Sequence, residues 1–343
     1  MKEPLLTVEG VHKRFSRKPG LVMRGIDRLS GKSSGSTVHA LSDVTLSVAA
    51  GEVLGLVGES GCGKSTLGRI ISGIYTPSDG RVLLDGAPVA RARGNNIEKL
   101  TTRVQMIHQD PFASLNPRMK VGETIAEGPR VHKLASAGDV RKRVRDLLQQ
   151  VGLEGAYADR LPHQFSGGQR QRIAIARALA MEPDLLVLDE AVASLDVSIQ
   201  AQVLNLFMEL RRKLDLTAVF ISHDLSVVHH VCDRVAIMYL GRIVELASAR
   251  ELYEKPQHPY TKALFASVPT LGTGRAAFQP IKGEIPSPLD PPKGCAFHPR
   301  CPMAGPRCKV ELPLLKPVTG MATTVACHLN DGGTGIETGS HAA

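Results

Sequence analysis

"LGLVGESGCGKST", residues 54–66, is an apolar run, a glycine-rich turn, then a lysine and two hydroxyl residues. It matches G-x-x-x-x-G-K-[ST] at Gly58, Gly63, Lys64 and Ser65, between a predicted strand and a predicted helix. Glycines let successive backbone N–H groups converge on phosphate oxygens without Cβ interference. The helix that follows turns its free donors and dipole towards the same anion. The candidate cradle is Gly58, Glu59, Ser60, Gly61, Cys62, Gly63, Lys64, Ser65 and Thr66. Lys64 is assigned to the β- and γ-phosphates, Ser65 to Mg²⁺ and Thr66 to the α-phosphate, while Cys62 is read as a small loop side chain.

Further along, "DLLVLDE" (184–190) is a buried-type strand ending in two acids. Its edge is expected to deliver Asp189 to Mg²⁺ through water and to leave Glu190 polarising the attacking water. "VFISHD" ends another apolar strand with His223, where a γ-phosphate contact is needed. Residues 5–15 and 38–57 alternate like strands, separated by the Gly-, Ser- and Arg-rich "SRKPGLVMRGIDRLSGKSSGST", read as a surface insertion. From Ala113 to about Arg160 the pattern is helical and polar, clearest in "DVRKRVRDLLQQVGL". Apolar strands return at "TAVFISHD" and "RVAIMYLGRIVEL", so the expected fold class is α/β with a mostly parallel core sheet. Prolines become frequent after about Arg250, and no internal repeat is found.

The chain has 343 residues, 43% of them hydrophobic, which suits a folded protein with more than one structural unit. Forty-two basic against 33 acidic residues give a charge of +9, which suits an anionic partner without choosing one. The first residues lack a signal-peptide pattern, and no run approaches eighteen apolar residues. A cytoplasmic chain is expected, with any membrane spans supplied by other subunits.

The stretch "QFSGGQRQRIAIARALAMEPDLLVLDEAVASLD" (164–196) closely resembles the ATP-binding cassette (ABC) family, whose signature is matched by Ser166, Gly167, Gly168 and Gln169. Serine and two glycines at a helix start make a second anion cradle. The resemblance implies ATP and Mg²⁺ as cofactors and two cassettes meeting head to tail, each signature closing on the other's ATP. It assigns catalysis to Glu190, His223 and Gln109, the last also near Mg²⁺ as the Q-loop glutamine. Asp196 becomes the contact to the opposite cassette. Phe15 in "VHKRF" is the candidate for stacking on adenine, with an ordinary core phenylalanine as the rival. One departure stands out: Ala191 follows the catalytic glutamate where the family has proline. The cassette, with an N-terminal antiparallel β subdomain and a helical subdomain at about 111–168, is expected over 1–250, and a small extension over 251–343.

"DPFASLNPRM", "SLDVSIQAQVLNLF", "HPYTKALFASVP" and "GCAFHPRCPMAGPRC" resemble the ATPase subunits of peptide importers, the oligopeptide branch above all. That implies an ATPase driving uptake of oligopeptides or dipeptides, peripheral on the cytoplasmic face of the membrane. Its partners would be a second ATPase, a paralogue rather than a copy, two transmembrane permease subunits and an extracytoplasmic peptide-binding protein. The stretch 111–121 would receive the permease coupling helices. Nickel or another small solute stays an alternative. A soluble ABC ATPase acting on nucleic acid or ribosomes is the rival class; with one phosphate loop, one signature and no long heptad run, no nucleic acid is expected.

Four of the six cysteines, Cys295, Cys301, Cys308 and Cys327, lie in the tail. Disulfides are unexpected in a reducing compartment. Zinc remains open, although gaps of five, six and eighteen residues are long for a zinc knuckle. Unliganded structural thiols remain open too. The resemblance favours a four-iron four-sulfur cluster (4Fe-4S) on these four thiolates, as a staple for the tail and not a redox centre. Cys232 is read as core packing.

Overall fold

A computed structural model of the chain describes residues 4–16, 37–94, 96–110, 114–134, 136–267, 281 and 283–331. The insertion expected at 17–36 lies outside the described residues, as do 111–113 of the stretch assigned to coupling helices. The strands in chain order are β1 (Pro4–Ser16), β2 (Thr37–Ala49), β3 (Val53–Val57), β4 (Asp79–Leu84), β5 (Ala87–Pro88), β6 (Ala90–Arg93), β7 (Asn96–Lys99), β8 (Val104–Ile107), β9 (Leu185–Asp189), β10 (Thr217–Ile221), β11 (Arg234–Tyr239), β12 (Arg242–Ser248), β13 (Lys316–Pro317) and β14 (Thr324–Val325). The helices are α1 (Lys64–Ile71), α2 (Val121–Val131), α3 (Ala137–Gln150), α4 (Gly167–Leu179), α5 (Val197–Leu214), α6 (Leu225–Val231), α7 (Ala249–Glu254), α8 (Pro259–Ala266) and α9 (Pro306–Val310).

β2-β1-β4-β5 form an antiparallel sheet. The core sheet runs β13-β14-β12-β11-β3-β10-β9-β8, with β8, β9, β10, β3 and β11 mutually parallel. β3 is buried on both faces, as a central parallel strand must be. Its side chains divide by the period of two: Val53 and Val57 join the core beneath the helices, Leu54 and Leu56 the core shared with the antiparallel sheet. β9, β10 and β11 divide the same way. Helix α1 lies within the second core, into which Leu67, Ile70 and Ile71, at i, i+3 and i+4, project one apolar face. Full burial of each such side chain is worth about 1.5–3 kcal/mol, so the loop before α1 rests on rigid supports.

The tail is not a separate body. β14 pairs antiparallel with β12 and extends the core sheet, while Phe297 and Tyr260 are fully buried in the same core as the helices.

Candidate active site

Parallel pairing of β3, β10 and β9 sets their C-terminal ends side by side, where the chain leaves each strand for a loop. After β3 the backbone turns sharply through residues 58–63. Gly63 caps α1 at φ 110° and ψ −1°, a left-handed geometry that L side chains rarely adopt. At Gly58 the constraint is space: a Cβ would lie 2.2 Å from the Met238 carbonyl oxygen. Lys64 is buried, and its Nζ donates to the carbonyls of Gly58 (2.7 Å) and Glu59 (3.0 Å). Ser65 Oγ donates to Asp189 Oδ1 at 2.8 Å. Burial raises the pKa of the Asp189 carboxyl, against the pull of the Ser65 hydrogen bond. These two hard oxygen donors suit Mg²⁺, which favours oxygen ligands and keeps several waters.

Glu190 follows with φ 49°, left-handed for a residue with a side chain. Its N–H donates to Ile221 O (3.0 Å) and its carbonyl accepts from Ala193 N–H (3.0 Å), which fixes that conformation. Gln109 Nε2 donates to Glu190 Oε2 at 2.9 Å, and His223 Nδ1 stands 3.5 Å from Glu190 Oε1. Three loops, following β8, β9 and β10, thus bring Gln109, Glu190 and His223 together one residue from Asp189. Ala191 is buried behind them.

The signature residues make a different local structure. Ser166 Oγ accepts from Gln169 N–H (3.3 Å), and Gln169 Oε1 accepts from Ser166 N–H (3.0 Å). This reciprocal cap starts α4. Its sequence signal is a serine with glutamine three residues on, which the anion-cradle expectation does not use. The hydrogen bonds of Ser166 and Gln169 stay within this turn and helix. Asp196 is exposed at the start of α5, next to Val197, which is 83% exposed. Phe15 is 39% exposed at the end of β1, which rules out the core reading. Its ring meets Tyr75 edge-on at 5.8 Å, with Lys13 Nζ 5.1 Å from its centroid.

Burial pushes up the thiols of Cys295, Cys301 and Cys327, the last to about 11, and neighbouring cysteines of the set add to each rise. Cys295 N–H donates to the Cys308 carbonyl at 2.8 Å. Even so, among the described residues no three His, Cys, Asp or Glu side chains are grouped so as to hold a metal ion. The arrangement of the described side chains therefore gives no support to the metal centre expected on these cysteines, iron-sulfur or zinc.

Two tail residues that sequence reasoning did not single out touch the phosphate loop. The Tyr260 hydroxyl accepts from Glu59 N–H (3.0 Å), and Arg300 makes two hydrogen bonds to the Glu59 carboxylate. A cleft of about 940 Å³ opens elsewhere, lined among others by Leu100, Gln105, His108, Thr124, Val131 and Arg177. Among the described residues no helix is long and apolar enough to cross a membrane.

Comparison with known proteins adds independent findings. Residues 41–193 match the family model described as ABC transporter, and residues 244–308 that of the oligopeptide/dipeptide transporter C-terminal region. The chain is 46% identical over 332 residues to the oligopeptide transport ATP-binding protein AppF of Bacillus subtilis, covering 96% of this chain and 98% of that one. It is 50% identical over 284 residues to the oligopeptide transport ATP-binding protein OppF of Salmonella typhimurium, covering 82% and 85%. Among solved structures, cbiO1 of Clostridium perfringens, part of the transporter complex cbiONQ, matches at 29% identity and TM-score 0.59, covering 74% of this chain and 92% of that one. The cassette MJ0796, a dimer bound to ADP and Pi, matches at 27% identity and TM-score 0.57, covering 71% and 99%.

Proposed function

This chain belongs to the ABC transporter ATP-binding proteins, and from that premise we propose that it hydrolyses ATP to drive the import of oligopeptides or dipeptides. The observation that carries the catalytic part is the convergence of Gln109, Glu190 and His223 beside the Ser65–Asp189 pair. On ATP binding, Lys64 exchanges the Gly58 and Glu59 carbonyls for phosphate oxygens. Ser65 and Asp189 would hold Mg²⁺, which would neutralise phosphate charge. Glu190 orients a water for in-line attack on the γ-phosphorus and accepts its proton as ADP leaves. Gln109 holds one carboxylate oxygen in that aim by its hydrogen bond, and His223, 3.5 Å from the other, is assigned to the γ-phosphate. Phe15, partly exposed near the end of β1, is kept as the residue that stacks on adenine.

Two cassettes complete each other: Ser166 to Gln169 of one face the ATP of the other, with Asp196 at the seam. The exposure of Ser166, Asp196 and Val197 supports this. The names of the relatives and the C-terminal family match support the peptide substrate, and with it go, as proposed partners, a paralogous second ATPase, two permease subunits and an extracytoplasmic peptide-binding protein. The 940 Å³ cleft has room for permease coupling helices, and a peripheral position on the cytoplasmic face is the reading that goes with such partners. We keep the division into a cassette over 1–250, its helical part at about 111–168, and an extension over 251–343. The boundary is a change of composition, since β14 continues the core sheet.

For the tail, a 4Fe-4S cluster on Cys295, Cys301, Cys308 and Cys327 is supported over zinc by spacing. Iron and acid-labile sulfide measured on anaerobically purified protein test this, and zinc or no metal at all would overturn it.

The catalytic assignment is tested by Glu190→Gln, which should retain ATP binding while turnover falls by about 100-fold or more. Unchanged hydrolysis would refute the role given to Glu190.

A further inference from the structure

Glu59 places a negative charge in a loop shaped to receive phosphates, where an unpaired carboxylate repels the ligand. The fold disposes of that charge in a specific way. Arg300 forks onto both oxygens, Nη1 to Oε2 at 2.6 Å and Nη2 to Oε1 at 3.1 Å, and its side chain is only 4% exposed. Such bidentate, desolvated pairs are stronger and better oriented than surface ion pairs. The other two polar groups of Glu59 are committed as well. Its N–H donates to the Tyr260 hydroxyl (3.0 Å), and its carbonyl accepts from Lys64 Nζ (3.0 Å). One residue therefore joins the tail on one side to the phosphate-binding lysine on the other.

Arg300 is itself held by the tail. Its N–H donates to the Phe297 carbonyl at 3.0 Å, and Phe297 packs against Tyr239 and Tyr260 at ring separations of 5.2 and 5.3 Å. Arg300 directly precedes Cys301. The pair bridges 241 positions of sequence, so it forms only when the tail has folded onto the cassette.

We propose that Arg300 is a positioning residue for the nucleotide loop: it neutralises Glu59 and fixes the loop from behind, making ATP affinity depend on the folded tail. This deepens the ATPase reading above and rests on it. Arg300 touches no reacting atom, so its loss acts on binding more than on chemistry.

The test uses the full-length chain, with Mg-ATP affinity read by displacement of a fluorescent ATP analogue and with KM and kcat measured separately. Arg300→Ala and Arg300→Gln should each weaken ATP roughly tenfold, mainly in KM, because Glu59 is left as an uncompensated charge. Adding Glu59→Gln to either should restore affinity to within about threefold of wild type, since the two sites form one interaction. A residue that merely keeps the tail folded would not be rescued in this way. Arg300→Gln keeps most of the bulk and carries the test if the alanine variant does not fold. An affinity loss that Glu59→Gln leaves unrepaired, or wild-type affinity in Arg300→Gln, would overturn the proposal. A wild-type chain unable to bind Mg-ATP would overturn the site reading itself, and this proposal with it.

Discussion

Glu190 and Gly58 show how closely single residues are set at this site. A left-handed φ at a non-glycine residue costs about 1–2 kcal/mol, and at Glu190 two backbone hydrogen bonds enforce it. The result is a carboxylate hydrogen-bonded by the Gln109 amide, with the His223 imidazole 3.5 Å from its other oxygen. At Gly58 the neighbour is backbone, the Met238 carbonyl, which cannot rotate aside. Gly58→Ala should therefore cost about 1–3 kcal/mol of stability and weaken ATP markedly, both readable from thermal melts with and without Mg-ATP. The phosphate loop and the two acids were legible in the sequence because their chemistry is local, a few residues at fixed spacing. Arg300 was not legible, because its partner lies 241 positions away and only the packing of Phe297 against Tyr239 and Tyr260 aims it.

Among the elements, the junction of β12 with α8 carries a pH dependence of its own. Glu245 of β12 is fully buried and accepts from the N–H groups of Gln257 (2.7 Å) and His258 (2.9 Å). His258 Nδ1 caps α8 by accepting from Tyr260 N–H at 3.0 Å. Burial drives the His258 imidazole down to about 3 from an ordinary 6.5. The folded chain therefore keeps it neutral while the unfolded chain takes up a proton. Its stabilising contribution is complete above pH 6.5 and is lost as pH falls from there towards 3. Glu245 works the other way, because burial raises its carboxyl and folding gains as pH drops through that raised value. His258→Asn keeps a capping oxygen and removes the titration. Its unfolding free energy should fall less steeply between pH 6.5 and 4, by up to about 1.4 kcal/mol per pH unit, in denaturant titrations. The long strands and helices of the cassette were legible from periodicity. The tail strands β13 and β14, two residues each, show no period at all and exist only because β12 offers an open edge.

For the whole molecule, the α/β class with its mostly parallel core sheet followed from alternating strand and helix patterns around one phosphate loop, and the solved cassettes share that fold. Surfaces were harder to read, since sequence does not show which side chains a fold leaves outside. Val131, 70% exposed at the rim of the large cleft, is such a position. Val131→Glu places a charge in the cleft proposed to receive a permease helix. Co-purification with the membrane subunits should fall by about tenfold or more, while ATP affinity of the free chain stays unchanged.

The pairing of β14 with β12 also bears on how the protein is made. A ribosome releases the outer edge strand of the core sheet some eighty residues before the strand that covers it, counting from Glu245 to Val325. Until that last segment emerges, β12 presents unpaired amides to any other nascent chain, a known route to aggregation. Premature termination anywhere between the two therefore yields a sticky fragment rather than a shorter working enzyme.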